Sequence, residues 1–144
     1  MTLFRDDRLV ALHDLVEACR SSARHCLLAA ESMPNDPRCE ELRALGEKRT
    51  ANADFFGARM IAEDDIPGGP PEERSLVETV LARARAVFAD EGMDALLADC
   101  REQEVAVLQQ AEAACHAPLR KDEKAAAKAL TDDAGRRLDT LFRR

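Results

Sequence analysis

The chain has 144 residues, of which 46% are hydrophobic, 34% charged and only 3% aromatic. That length predicts a single domain, 1–144, able to bury a core without disulfides or a structural metal, and a mixture rich in Ala and Leu favours an all-α fold. A formal net charge of −7 opposes binding to a phosphate backbone, and the lack of Trp and Tyr argues against a tyrosyl radical or stacking on bases.

The opening Met-Thr-Leu-Phe-Arg-Asp-Asp has neither the basic region nor the apolar run of a signal peptide. No apolar stretch approaches the roughly 20 residues that cross a bilayer, so a cytoplasmic protein without a membrane partner is expected. Its five cysteines are odd in number and fall inside helical patterns, which predicts reduced, buried, small apolar side chains. Arg136, Arg137, Arg143 and Arg144 gather near the end, where they complement the negative pole of a last helix.

In chain order, the first element is a long helix over about residues 3–33. Leu9, Leu12, Val16, Cys19, Ala23, Cys26, Ala30 and Met33 recur at alternating steps of three and four, which places them on one face. Pro34 stops it. Asp36 then caps a second helix, with Pro37 at the first position, and Leu42, Leu45, Arg49, Ala53, Phe56 and Met60 share a face as far as about Glu63. Gly68-Gly69-Pro70-Pro71 opens the one long connection, the crossover between two halves of a bundle.

An extra helical segment is expected within that crossover. Ser75-Leu-Val-Glu78 fits a capping box, and Val77, Val80, Ala84, Val87 and Phe88 form its face. Gly92 breaks or kinks the chain, and the next helix carries Met93, Leu97, Cys100, Glu104, Val107, Ala111 and Ala114. His116-Ala117-Pro118 is a tight corner before a last helix on Ala127, Leu130, Ala134, Leu138 and Leu141. The whole predicts a bundle of antiparallel helices.

Two charged groups sit inside these apolar stripes near mid-helix, Arg49 and Glu104. An unpaired charge there would be costly, so the two are expected to form a buried ion pair. The alternative for Glu104 is a metal ligand, since inward carboxylates in bundles hold di-iron sites. Such sites want a Glu from each of two helices and a Glu-x-x-His from each of the others. None of His13, His25 or His116 has a Glu three residues before it. Glu123 also faces inward, but close to its helix start, where it is expected to reach solvent or favour the positive helix end.

Cys19 and Cys100 both face inward near mid-depth and could approach one another across the core. They are read as small packing residues, or alternatively as a redox or Cu(I) thiol pair. Cys19 and Cys26 share a face two turns apart, about 10 Å. The chain has no Gly-rich phosphate loop, no Cys-x-x-Cys and no nucleophile elbow.

Leu12-His-Asp-Leu-Val-Glu-Ala-Cys19 and Ala98-Asp-Cys-Arg-Glu-Gln-Glu104 resemble the two signatures of an uncharacterised family of bacterial ferritin-like bundles, and Asp90-Glu-Gly-Met-Asp94 matches a corner of the same family. The resemblance implies a ferritin-like four-helix bundle and dimerisation. Ala23 stands at the acidic core position of the relatives, and Lys48 and Phe55 stand where relatives tend to carry Glu, beside a retained Arg49.

The expected function is a structural or protein-interaction module, a homodimer without a working di-iron site, with no cofactor and no catalytic residues. One alternative is an iron or other transition-metal oxidase or storage protein with a reduced site built on Glu104, with Cys19 and Cys100 as further candidate ligands. Another is a buried-thiol redox sensor on Cys19 and Cys100.

Overall fold

The computed structural model describes residues 6–62 and 92–143. Among them the chain is all helix, with four helices and no strand: α1 (Asp7–Ser32), α2 (Cys39–Ala62), α3 (Gly92–Ala114) and α4 (Lys121–Thr140). None is long and apolar enough to cross a membrane. The expected crossover helix, with Val77, Val80, Ala84, Val87 and Phe88, lies outside the described residues.

Local chemistry sets the ends. Asp6 is the N-cap of α1, its backbone extended and its carboxylate accepting the Arg8 amide at 2.8 Å. Met33 closes the helix with its amide on the Ala30 carbonyl, and Pro34, which has no N–H to offer a further turn, follows. Asp36 accepts the Arg38 amide at 2.8 Å and holds the Arg38 guanidinium through both oxygens at 2.9 Å. This local Asx turn delays the regular start of α2 to Cys39, two residues later than Pro37 alone suggests. Gly92 begins α3. The corner at 115–120 is tied by the Ala117 amide on Ala114 and the Leu119 amide on Ala117.

Cross-helix contacts fix the directions. Gly46 lies against Leu27, and Gly57 faces Val16 one stretch back along α1, so α1 and α2 run antiparallel. Ser21 meets Gln103 and His25 meets Cys100, so α1 and α3 are antiparallel as well. Arg49 meets Asp133 and Arg59 meets Asp122, which makes α2 and α4 antiparallel. α2 and α3 therefore run the same way.

Two apolar clusters fill the bundle. One gathers Leu12, Val16, Cys19, Phe56, Val107 and Leu130; the other gathers Cys26, Leu42, Leu45, Leu97, Cys100 and Leu141. Every helix passes from one cluster to the other, and at each passage stands a polar residue that is buried. On α1 it is Ser22, on α2 Arg49, on α3 Glu104 and on α4 Asp133.

Candidate functional site: a guanidinium at the centre of the bundle

Arg49 and Glu104 are both fully buried, and the structure brings them together. Arg49 Nε donates to Glu104 Oε1 at 3.0 Å and to Oε2 at 3.1 Å, while Nη2 donates to Oε2 and to Asp133 Oδ2 at 2.8 Å. Nη1 donates to Asn52 Oδ1 at 2.8 Å. Ser22 Oγ donates to Glu104 Oε1 at 3.0 Å. All four helices thus place at least one polar side chain in one hydrogen-bonded layer.

Removing two opposite charges from water costs several kcal/mol per ion, repaid only when geometry is good and the remaining donors and acceptors find partners. That condition holds here: among the described residues no buried side-chain nitrogen or oxygen lacks a hydrogen bond. Burial works against the charged form of Arg49, yet Glu104 and Asp133 outweigh it and hold the guanidinium more firmly protonated than usual. Burial likewise pushes the Asp133 carboxyl up, but hydrogen bonds from Arg49 and Arg136 and the charges of Arg49 and Arg137 leave it below the ordinary value. The outer oxygen of Asp133 takes Arg136 at 2.7 Å, with Arg137 at 3.7 Å and Lys48 at 4.0 Å.

This arrangement limits the chemistry. The carboxylate oxygens that a core cation would need already face a guanidinium, so a metal ion at Glu104 has to displace Arg49. Among the described residues no three His, Cys, Asp or Glu side chains come together to hold a metal ion. His25 Nδ1 pairs with the Ser21 carbonyl at 2.8 Å, and His13 sits beside Asp14 and Glu17.

The thiols pair differently from the sequence expectation. Cys19 packs in the first cluster beside the Arg49–Glu104 layer. Burial pushes its thiol up to about 12; the Arg49 charge pulls it down and the Glu104 charge adds to the rise. Cys100 belongs to the second cluster, across the polar layer from Cys19. It donates to the His25 carbonyl at 3.3 Å, and the Cys26 thiol beside it followed by burial raises its own thiol far above the ordinary value. The neighbouring pair is therefore Cys26–Cys100, not Cys19–Cys100. Cys26 lies two turns beyond Cys19 on α1, which brings it level with Cys100 in the antiparallel pairing with α3.

Glu123 does not reach solvent. It is fully buried and receives Arg8 through two bonds, Nε to Oε1 at 2.9 Å and Nη2 to Oε2 at 2.5 Å. It also accepts the Arg120 amide at 3.0 Å, at the start of α4. The Arg8 hydrogen bonds hold its carboxyl low against the opposing effect of burial, and the Arg120 amide helps.

Asp133, Ser22, Asn52 and Arg8 are participants that sequence reasoning missed. Asp133 follows Leu130 by three residues and Arg8 precedes Leu12 by four, the spacings that share a helix face. Compared with protein-family models, with curated proteins and with solved structures, the chain matches none.

Proposed function

We propose that this chain is a ferritin-like four-helix bundle whose central cation is an arginine, and that it works as a cytoplasmic structural or protein-interaction module, as a homodimer, without metal chemistry. The observation that carries the reading is the engagement of Glu104 by Arg49, with Asp133 drawn into the same network. A carboxylate that accepts two or three charge-assisted bonds from a guanidinium is a poor Lewis base, and a metal ion there would have to displace Arg49.

The ferritin-like arrangement is supported by the direction of the helices. The helices on either side of residues 63–91, α2 and α3, run the same way, as in bundles with one long crossover. The motif resemblance at Leu12–Cys19 and Ala98–Glu104 points the same way.

Ferrous iron added under air to the full chain tests the reading. Ferric absorbance should grow no faster than in buffer alone. A protein-dependent rate that Glu104→Gln abolishes would overturn it, and sedimentation equilibrium decides the dimer separately.

A further inference from the structure

α2 and α4 leave a groove of about 310 Å³ between them, at the lower end of the range for small-molecule sites. Phe55 and Phe56 form its α2 wall; Ala126, Ala129 and Leu130 form its α4 wall. The alanines keep that second wall low. Phe55 is 36% exposed, and its ring is braced edge-on by the buried Phe56 and capped by the Arg59 guanidinium 4.8 Å from its centroid. Arg59 is itself neutralised by Asp122 at 2.5 Å, so that region offers aromatic surface without free charge.

The other polar part of the groove is different. It is formed by Lys48, Asn52 and the Arg49–Asp133 pair. Four cations (Arg49, Lys48, Arg136 and Arg137) lie within 4.0 Å of a carboxylate of the layer, and they face only two carboxylates, Glu104 and Asp133. The surplus is positive on a chain whose net charge is −7. Of the cations that line the groove, Lys48 is the accessible one: it is half exposed and stands 4.0 Å from Asp133 Oδ1, beyond hydrogen-bond length. Its ammonium can take a ligand oxygen without giving up a bond.

We propose that this groove binds a small amphipathic carboxylate, a medium-chain fatty acid, with its head on Lys48 and its chain between the Phe55–Phe56 wall and the α4 alanines. A single ammonium beside an apolar slot suits a monovalent head with an alkyl tail. A doubly charged phosphate is held best by several donors, such as a bidentate arginine fork, and the arginines near the groove are already engaged with Asp133 and Glu104. The inference goes beyond the structural reading above; its head contact is Lys48 and its slot is formed by Phe55, Phe56 and the α4 alanines, so decanoate binding is read separately from metal content.

Isothermal titration of the full chain with decanoate, below its micelle concentration, tests it. The expected result is saturable binding of one decanoate per chain. Decanol, which keeps the chain and lacks the charge, should bind at least about tenfold more weakly, and Lys48→Glu should lose a similar factor for decanoate, the worth of one charge-assisted contact. Ala129→Leu, which raises the low wall, should abolish binding. Lys48 and Ala129 are both exposed, so unchanged helicity and melting of the variants serve as the folding control. Absence of saturable heat, or binding indifferent to both substitutions, would overturn the proposal. So would a dimer that Phe55→Asp dissociates while decanoate fails to bind, which would give the groove to a second copy of the chain.

Discussion

Arg49 spans both oxygens of Glu104: its Nε lies 3.0 Å from Oε1 and 3.1 Å from Oε2, with neither side chain exposed. The guanidinium then continues to Asp133 at 2.8 Å, so one arginine on α2 ties α3 to α4. Since the layer stands between two apolar clusters, it also fixes how far each helix can slide against its neighbours. A slip of one turn would leave a buried charge against Leu or Val.

Breaking this layer should cost more than removing it. Arg49→Met leaves Glu104 buried with Ser22 alone, takes one of several cations from Asp133, and is expected to destabilise by about 3–5 kcal/mol. Replacing the charged layer as a whole, with Arg49→Met, Glu104→Leu and Asp133→Leu together, should recover most of that loss, because well-packed apolar groups are often as stable as a buried ion network. Urea unfolding of the single and triple variants measures both. A triple variant no more stable than Arg49→Met would show that the charges do more than compensate each other.

Acid should unfold the protein through its held carboxylates. Asp133 and Glu123 both titrate below their ordinary values in the folded chain. Their contribution is therefore fully present above the unfolded value, about 4, and is lost as pH falls through the folded values, since the unfolded chain binds the proton more readily. Urea midpoints should fall steadily below about pH 4, and Asp133→Asn should show a shallower slope there. An unchanged slope would mean that Asp133 titrates normally.

The stripe of apolar residues made the helices legible, and Arg49 and Glu104 stand out because each is a lone charge flanked by apolar residues three or four positions away. Asp133 escapes the same test because Ala134, one residue on, fills the heptad position and makes the stripe look complete. The thiols show a second limit. Periodicity assigns Cys19, Cys26 and Cys100 to inner faces but says nothing of axial register, and register decides that Cys100 meets Cys26. Arg8 and Glu123 are far apart in sequence and lie at helix starts, so neither stripe reveals that one completes the other.

Thiol labelling should divide the five cysteines unequally. Cys19, Cys26, Cys39 and Cys100 are buried, and only Cys115 is partly exposed. With burial raising the Cys19 thiol and the neighbouring Cys26 and burial raising that of Cys100, a disulfide reagent near neutral pH should titrate one thiol quickly and the rest only as the protein opens. Mass spectrometry should place the first label on Cys115. Rapid labelling of Cys19 or Cys100 would restore a redox reading.

Two glycines offer opposite outcomes from one substitution. A Cβ on Gly46 would fall 2.6 Å from Leu27 Cγ and 3.3 Å from the Leu27 amide nitrogen, so the Leu27 side chain would have to turn outward and the two backbones give slightly. Gly46→Ala should destabilise by about 1–3 kcal/mol despite its better helix propensity. Gly135 has nothing within 4 Å of the same position, and Gly135→Ala should stabilise α4 by about 0.5–1 kcal/mol. Thermal melts of the two variants should move in opposite directions.

The central claim, that the cation at the heart of this bundle is Arg49, is tested most directly by metal content. Untagged protein purified anaerobically without chelator, beside a Glu104→Ala control, would be analysed for iron, zinc, copper and manganese. Metal far below one equivalent per chain in both samples is the expected result. Near-stoichiometric metal in the parent that disappears in Glu104→Ala would contradict it, because it would put an ion where the guanidinium stands.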